Sequence, residues 1–326
     1  MQLKGRALFN LLRINWLEDP TSIVKVWQVE DLRDLSIEEL FSRLKELRVI
    51  LNEENFYLYA ENCSSPEELV DLIWMEEEDL EGYDQVYLLL FELWRRLIPD
   101  QFCLSVFCDE LDQLIESYDR GELENEEALQ NGLRILEDIL DDAYDKEKKS
   151  QKVFTEVASY CAHDLERFLF DYIADQIAEN NETYASELID AFYDYASDRI
   201  RFDLLRARLL SLFNLEESSL LYSRILEEVR ERPDLEILLL AAEGLVHHGG
   251  VGIFMQVIKQ ALPLIKTEEE FQNLLGIIAE YYRCLDRDED EKVVKNLLES
   301  RSTQSLKALI DPSDRALARI SHLISI

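Results

Sequence analysis

Glycine and proline are scarce, with nine and six among 326 residues. Sandwiches and barrels need a turn every ten or so residues, and turns draw on these two residue types for their backbone angles. That scarcity argues against an all-β fold. Positive charge is also short: 34 Lys and Arg face 69 Asp and Glu, a net charge of −35. A field of that sign repels phosphates, so no direct nucleic-acid binding is expected. No apolar run is long enough to span a bilayer, so no stable membrane insertion is expected either. The five cysteines (Cys63, Cys103, Cys108, Cys161 and Cys284) are odd in number and widely spaced. They read as small buried hydrophobes in a reducing compartment, not as a disulfide framework. The first dozen residues are interrupted by Lys4, Arg6 and Asn10, and no small-residue cleavage site follows. That is not a secretory leader, and a cytoplasmic protein is expected.

What the chain has is helix-forming composition. Apolar residues make up 47%, enough for a core, and Leu, Glu, Asp, Ile, Ala and Arg dominate. The expected fold class is all-α. Ser36-Ile-Glu-Glu39 has the spacing of a capping box, and Ser65-Pro66-Glu67-Glu68 marks another helix start. The segment Tyr83 to Ile98 is apolar nearly all round, so it should be sandwiched between neighbours. Further helices are expected at 100–118 and 125–144, split at Asp119-Arg-Gly121. One long helix is expected to carry Phe154, Ala158, Cys161, Leu165, Phe168 and Tyr172. Near the start, Leu3, Ala7, Leu11 and Ile14 share a face beside Lys4, Arg6 and Arg13. This basic helix is expected to pack on the chain's own acidic body; docking on a membrane is the alternative.

Beyond residue 182 a rhythm sets in. Helices are expected near 183–197, 202–213, 216–231, 235–248, 251–265, 268–284 and 290–300, and alternate ones recur about every 34 residues. Pro233 and Pro263 punctuate two boundaries. In length and period this region resembles helical-hairpin repeats of the tetratricopeptide kind. The family's residue signature does not line up: with Pro233 at its terminal proline, the small alanine position falls on Leu221. The likeness is one of shape, and it implies stacked hairpins, an α-solenoid-like arrangement that binds a protein or peptide. The organisation expected is a helical N-terminal region, 1–145, followed by a hairpin-repeat region, 146–326. The polar run "DKEKKSQK" at 145–152 serves as linker or loop. Leu317, Ile320 and Ile324, after Asp311-Pro312-Ser313, form a C-terminal capping helix.

Candidate chemistry is thin. In "GLVHHGGVG", 244–252, four of the nine glycines surround His247 and His248. The expectation is a turn between two helices: glycine past a helix end in the left-handed conformation, histidines in the last turn, and Gly244 admitting a neighbouring helix. A metal held by Glu243 with the histidines lacks supporting ligand spacing, and no metal or cofactor is expected. "LDRDEDEK", 285–292, mimics a calcium loop but has Glu291 where glycine is required and Leu297 where the last glutamate belongs. It reads as an acidic helix start. Cys161 with His163, and Cys103 with Cys108, are poorly spaced for ligands, and Glu76 with Asp79 is one of many acid pairs. No catalytic residue is assigned. A nucleophile–base pair assembled from distant positions would not be visible in sequence.

The most suggestive patch is "DRIRFDLLRARLL", 198–210. Arg199 and Arg206 fall on one helix stripe, Arg201 and Arg208 on another. These four are the candidate partner-binding residues, suited to an acidic peptide, a carboxyl terminus or a phosphate. The competing role is ion pairing with acids of neighbouring helices. The function expected is non-enzymatic: an adaptor, scaffold or chaperone-like protein–protein interaction module. The rivals are a bacterial secretion-related regulator or effector, an acidic nucleic-acid mimic, and an enzyme whose site is assembled from distant helices.

Overall fold

Short polar side chains start most of the helices. In the computed structural model, Ser36 accepts from the Glu39 amide while Glu39 accepts from the Ser36 amide, completing the expected capping box. Ser65 caps the helix that begins with Pro66. Asn52, Asp79, Asn214, Asp234, Thr267 and Asp314 cap others. Each of these caps contributes about 1 kcal/mol. The structure describes residues 2–75, 78–144, 150–247 and 249–324. Glu76, His248 and 145–149 of the basic run lie outside the described residues.

The fold is all-α. Among the described residues, the only β pairing is an isolated bridge between Thr267 and Leu309. The chain divides into two compact units, 1–168 and 169–326. The first holds α1 (Arg6–Glu18), α2 (Val26–Val29), α3 (Ile37–Glu46), α4 (Glu53–Ala60), α5 (Pro66–Ile73), α6 (Leu80–Leu97), α7 (Leu104–Asp119), α8 (Glu127–Tyr144) and α9 (Ser150–Ala158). The division falls within α10 (Leu165–Ala178). The second unit continues with α11 (Glu182–Phe192), α12 (Arg199–Ser211), α13 (Leu215–Glu231), α14 (Leu235–Leu245), α15 (Val251–Ala261), α16 (Glu268–Cys284), α17 (Asp288–Arg301) and α18 (Arg315–Leu323).

In the first unit α6 is the axis of the core. Its stretch from Val86 to Trp94 is buried on every side against Leu40 and Leu44 of α3, Phe56 of α4 and Leu69 of α5. That is why the segment is apolar nearly all round: it has no solvent face to keep polar. Each such side chain contributes roughly 1.5–3 kcal/mol on burial. Gly121 adopts φ +66° just past α7, which breaks the chain before α8.

In the second unit consecutive helices pair. α12 packs on α13, α14 on α15 and α16 on α17, through connections of three to five residues. Alternate helices also pack, α12 on α14, α14 on α16 and α13 on α15. Tyr281 of α16 stacks on Phe254 of α15 with ring centroids 3.6 Å apart. Ala316 and Ile320 of α18, with Ile324, close the end of this apolar cluster.

Three local expectations are corrected. The long helix through Phe154 and Tyr172 is two helices, α9 and α10, with Cys161–Asp164 between them in a loop. The Asp112 carboxylate of α7 accepts the amides of Ala162 and His163 at 2.7 and 3.1 Å, so a tertiary contact replaces the helical bonds. α14 ends at Leu245, which leaves His247 in the turn beyond it. Gly249 is needed there for space, not for a left-handed backbone: a Cβ would fall 2.5 Å from the Leu245 carbonyl oxygen. At Gly244 a Cβ would meet the Tyr222 hydroxyl of α13 at 2.6 Å, the close helix approach expected of that position.

Candidate functional site

The arginine patch forms one continuous helix, α12. Arg206 binds Asp190 of α11 at 2.8 Å, and Arg199 binds Asp194 at 3.2 Å; both guanidinium groups lie over the Tyr193 ring. Arg201 bridges Asp198 and, at 2.8 Å, Glu236 of α14, with Phe170 beneath it. These ties link α12 to α11 and to α14. Arg208 makes no ion pair with a described residue; its charge acts on Glu243 and Tyr222 across the Gly244 contact. Arg199 and Arg206 remain substantially exposed.

A second constellation joins residues far apart in sequence. Cys284, the last residue of α16, places Sγ 3.4 Å from His247 Nδ1, and Glu280 Oε1 lies 3.9 Å from the same sulfur. Tyr281 donates to the Gly249 carbonyl at 3.4 Å, which fixes the turn bearing His247 against α16. Cys284 is the exposed cysteine; Cys63, Cys103, Cys108 and Cys161 are buried. The neighbouring Cys108 thiol, and then burial, push the Cys161 thiol far up, as fits an inert core position.

The first unit contains a polar centre of its own. Asp109 of α7 is 4% exposed and receives Arg6 and Asn10 of α1 together with Arg33. The basic N-terminal helix thus packs on the chain's own acids. One turn along, Asp112 holds the His163 loop and accepts from His163 Nδ1 at 3.0 Å. Burial alone raises Asp109 and lowers His163. The arginines override this for Asp109 and hold its carboxyl below the usual range; Asp112, with Asp119 and Glu116, overrides it for His163 and raises the imidazole. The space among Arg6, Arg13, Asp112 and His163 is about 20 Å³, room for one water. A roomier cavity of about 140 Å³ lies beside Trp27, Leu32, Leu47, Leu88 and Leu89. At its rim Arg43 and Glu30 satisfy each other at 2.5 and 2.8 Å.

No family model, curated protein or solved structure matches this chain.

Among the described residues, no group of three or more His, Cys, Asp or Glu side chains is arranged to hold a metal. Among them too, no helix is long and apolar enough to cross a membrane. The apparent calcium loop is the connection 285–287 followed by the first turn of α17, where Asp288, Glu289, Asp290 and Glu291 face the positive end of the helix dipole. Cys161 and His163 sit in the loop between α9 and α10, not on a helix, and His163 is committed to Asp112. Sequence reasoning missed the pairing of His247 with Cys284. The two are 37 residues apart, and only the packing of α14 on α16 joins them.

Proposed function

We propose that the chain is a non-enzymatic protein–protein interaction module whose second unit is a short helical solenoid of tetratricopeptide-like shape. The observation that carries this is the repeated pairing of α12 with α13, α14 with α15 and α16 with α17, with alternate helices packed on one another. Stacked hairpins bury a continuous core and repeat the same face along an extended surface, the geometry by which solenoids hold partners. The partner is a protein or peptide with an acidic segment, and α12 is its dock. Arg199 and Arg206 have guanidinium surface to offer, and Arg208 has no ion-pair partner among the described residues. The surface pairs these arginines make are worth about 0–1 kcal/mol and are readily exchanged for a partner's carboxylates. Free, mostly buried thiols suit a reducing compartment, and we assign the protein to the cytoplasm.

The test is affinity capture with the full chain, comparing wild type with Arg199→Ala/Arg206→Ala/Arg208→Ala. Arg201 is left in place because it ties α12 to α14. With helicity unchanged by circular dichroism, the triple variant should lose the captured partner, and added salt should weaken the wild-type complex. Capture of the same partner with unchanged affinity by the folded variant overturns α12 as the dock. Absence of any stoichiometric partner overturns the module reading.

A further inference from the structure

The junction of α14 with α16 holds a nucleophile beside a base, an arrangement that a partner-binding function does not require. Cys284 Sγ and His247 Nδ1 lie 3.4 Å apart, within sulfur hydrogen-bond range. Both side chains are exposed. The turn carrying His247 is held from two sides: the Gly249 amide donates to the Leu245 carbonyl at 2.9 Å, and Tyr281 donates to the Gly249 carbonyl. Gly249 sits so close to Leu245 that no other residue fits without displacing the turn. The backbone that carries the imidazole is therefore held in place.

We propose that Cys284 is a reactive thiol that His247 serves as base, and that it is the site at which this protein forms mixed disulfides with low-molecular-weight disulfides. The Sγ–H proton passes to His247 Nδ1 as the sulfur attacks one sulfur of the incoming disulfide. The disulfide bond breaks, its electron pair leaves on the second sulfur, and that sulfur takes the proton from His247. One thiol and one disulfide become one mixed disulfide and one thiol, so no further oxidant is required. A second thiol reverses the step. Other charges face the sulfur. On α16, Glu280 opposes a developing thiolate, and Arg283 favours it while also holding Glu280. Lys295 of α17 acts on Glu280 and Glu291 of α17 on Arg283, and His247 comes from the turn after α14. The four remaining cysteines are at most 7% exposed, so selectivity follows from access as well as from the base.

The experiment uses the native full chain with an aromatic disulfide, 5,5′-dithiobis(2-nitrobenzoate), read by absorbance, and then glutathione disulfide, read by intact mass. One thiol should react in a fast phase and the others only in denaturant. Cys284→Ser should abolish the fast phase and the glutathione adduct. His247→Gln should slow the fast phase at pH 7 by at least about threefold and make its rate climb more steeply with pH, as for an unassisted thiol. A fast phase that survives in Cys284→Ser places the reactive thiol elsewhere and overturns the proposal. A rate and pH profile unchanged in His247→Gln overturns the role of the base. Neither outcome bears on partner capture by α12, so this site and the proposed function fail separately.

Discussion

The two units reach stability by different routes. In the first, helices range from four to eighteen residues, and polar links join segments far apart: Arg33 to Asp109 across 76 positions, Arg96 to the Leu32 carbonyl across 64, Asn10 to Asp109 across 99. In the second, α12 to α14 pack each on the next and on the next but one, α16 packs on α17, and the core is apolar stacking. A buried ionic centre, Arg301 paired bidentately with Glu268 at 2.7 and 2.5 Å and with Asp314 at 2.8 Å, joins α16, α17 and the cap of α18. Local stacking needs only the same amphipathic pattern repeated. A non-local assembly of unequal helices has no such repeat to set its register, and buried charge pairs can supply it.

The sharpest way to break this comparison is to orphan the buried charge in each unit. Asp109→Asn leaves Arg6 and Arg33 without their counter-charge and should cost about 3–5 kcal/mol; Glu268→Gln leaves Arg301 with Asp314 alone and should cost less, about 1.5–3 kcal/mol. Urea titration followed by circular dichroism and by limited proteolysis should show the loss confined to residues 1–168 in the first variant and to 169–326 in the second. Both folded-state carboxyls lie below their ordinary values. Their stabilisation is therefore present above the unfolded pKa and lost as pH falls through the folded one, so wild type and variant should converge in stability toward strong acid.

A smaller effect is expected where stacked helices touch. Gly244→Ala drives a methyl into the Tyr222 hydroxyl and should cost about 1–3 kcal/mol, measured as a shift in urea midpoint. If Gly244→Ala costs nothing, α13 and α14 are not locked as described. The His163–Asp112 contact then sharpens the picture for the first unit. Its imidazole is raised above the ordinary 6.5, so the stabilisation is complete below that pH and fades as pH rises through the folded value. His163→Gln should cost about 1.5–3 kcal/mol at pH 5.5 and distinctly less at pH 9, by parallel urea melts. The smallest effect belongs to α12: Arg199→Ala and Arg206→Ala should each change stability by less than about 1 kcal/mol, because their pairs face solvent.

The sequence by itself determined the helical class, the capping box at Ser36, the helix start at Ser65, the two-faced burial of α6 and the helix succession from 182 onward. All of these depend on side-chain spacing within a single helix or between neighbours, which periodicity records directly. It also placed the arginines on one helix and the four glycines at a helix boundary. Tertiary structure alone decided which acids those arginines meet, why the helix through Cys161 breaks, and why Gly249 must lack a side chain. It also brought Cys284 to His247, and Asp109 to two arginines from different segments. Those contacts join positions tens of residues apart, in a chain so rich in carboxylates that every arginine has many equally plausible partners. Spacing along the chain carries no record of which surfaces meet; the burial of apolar faces decides that, and the polar pairs follow from it.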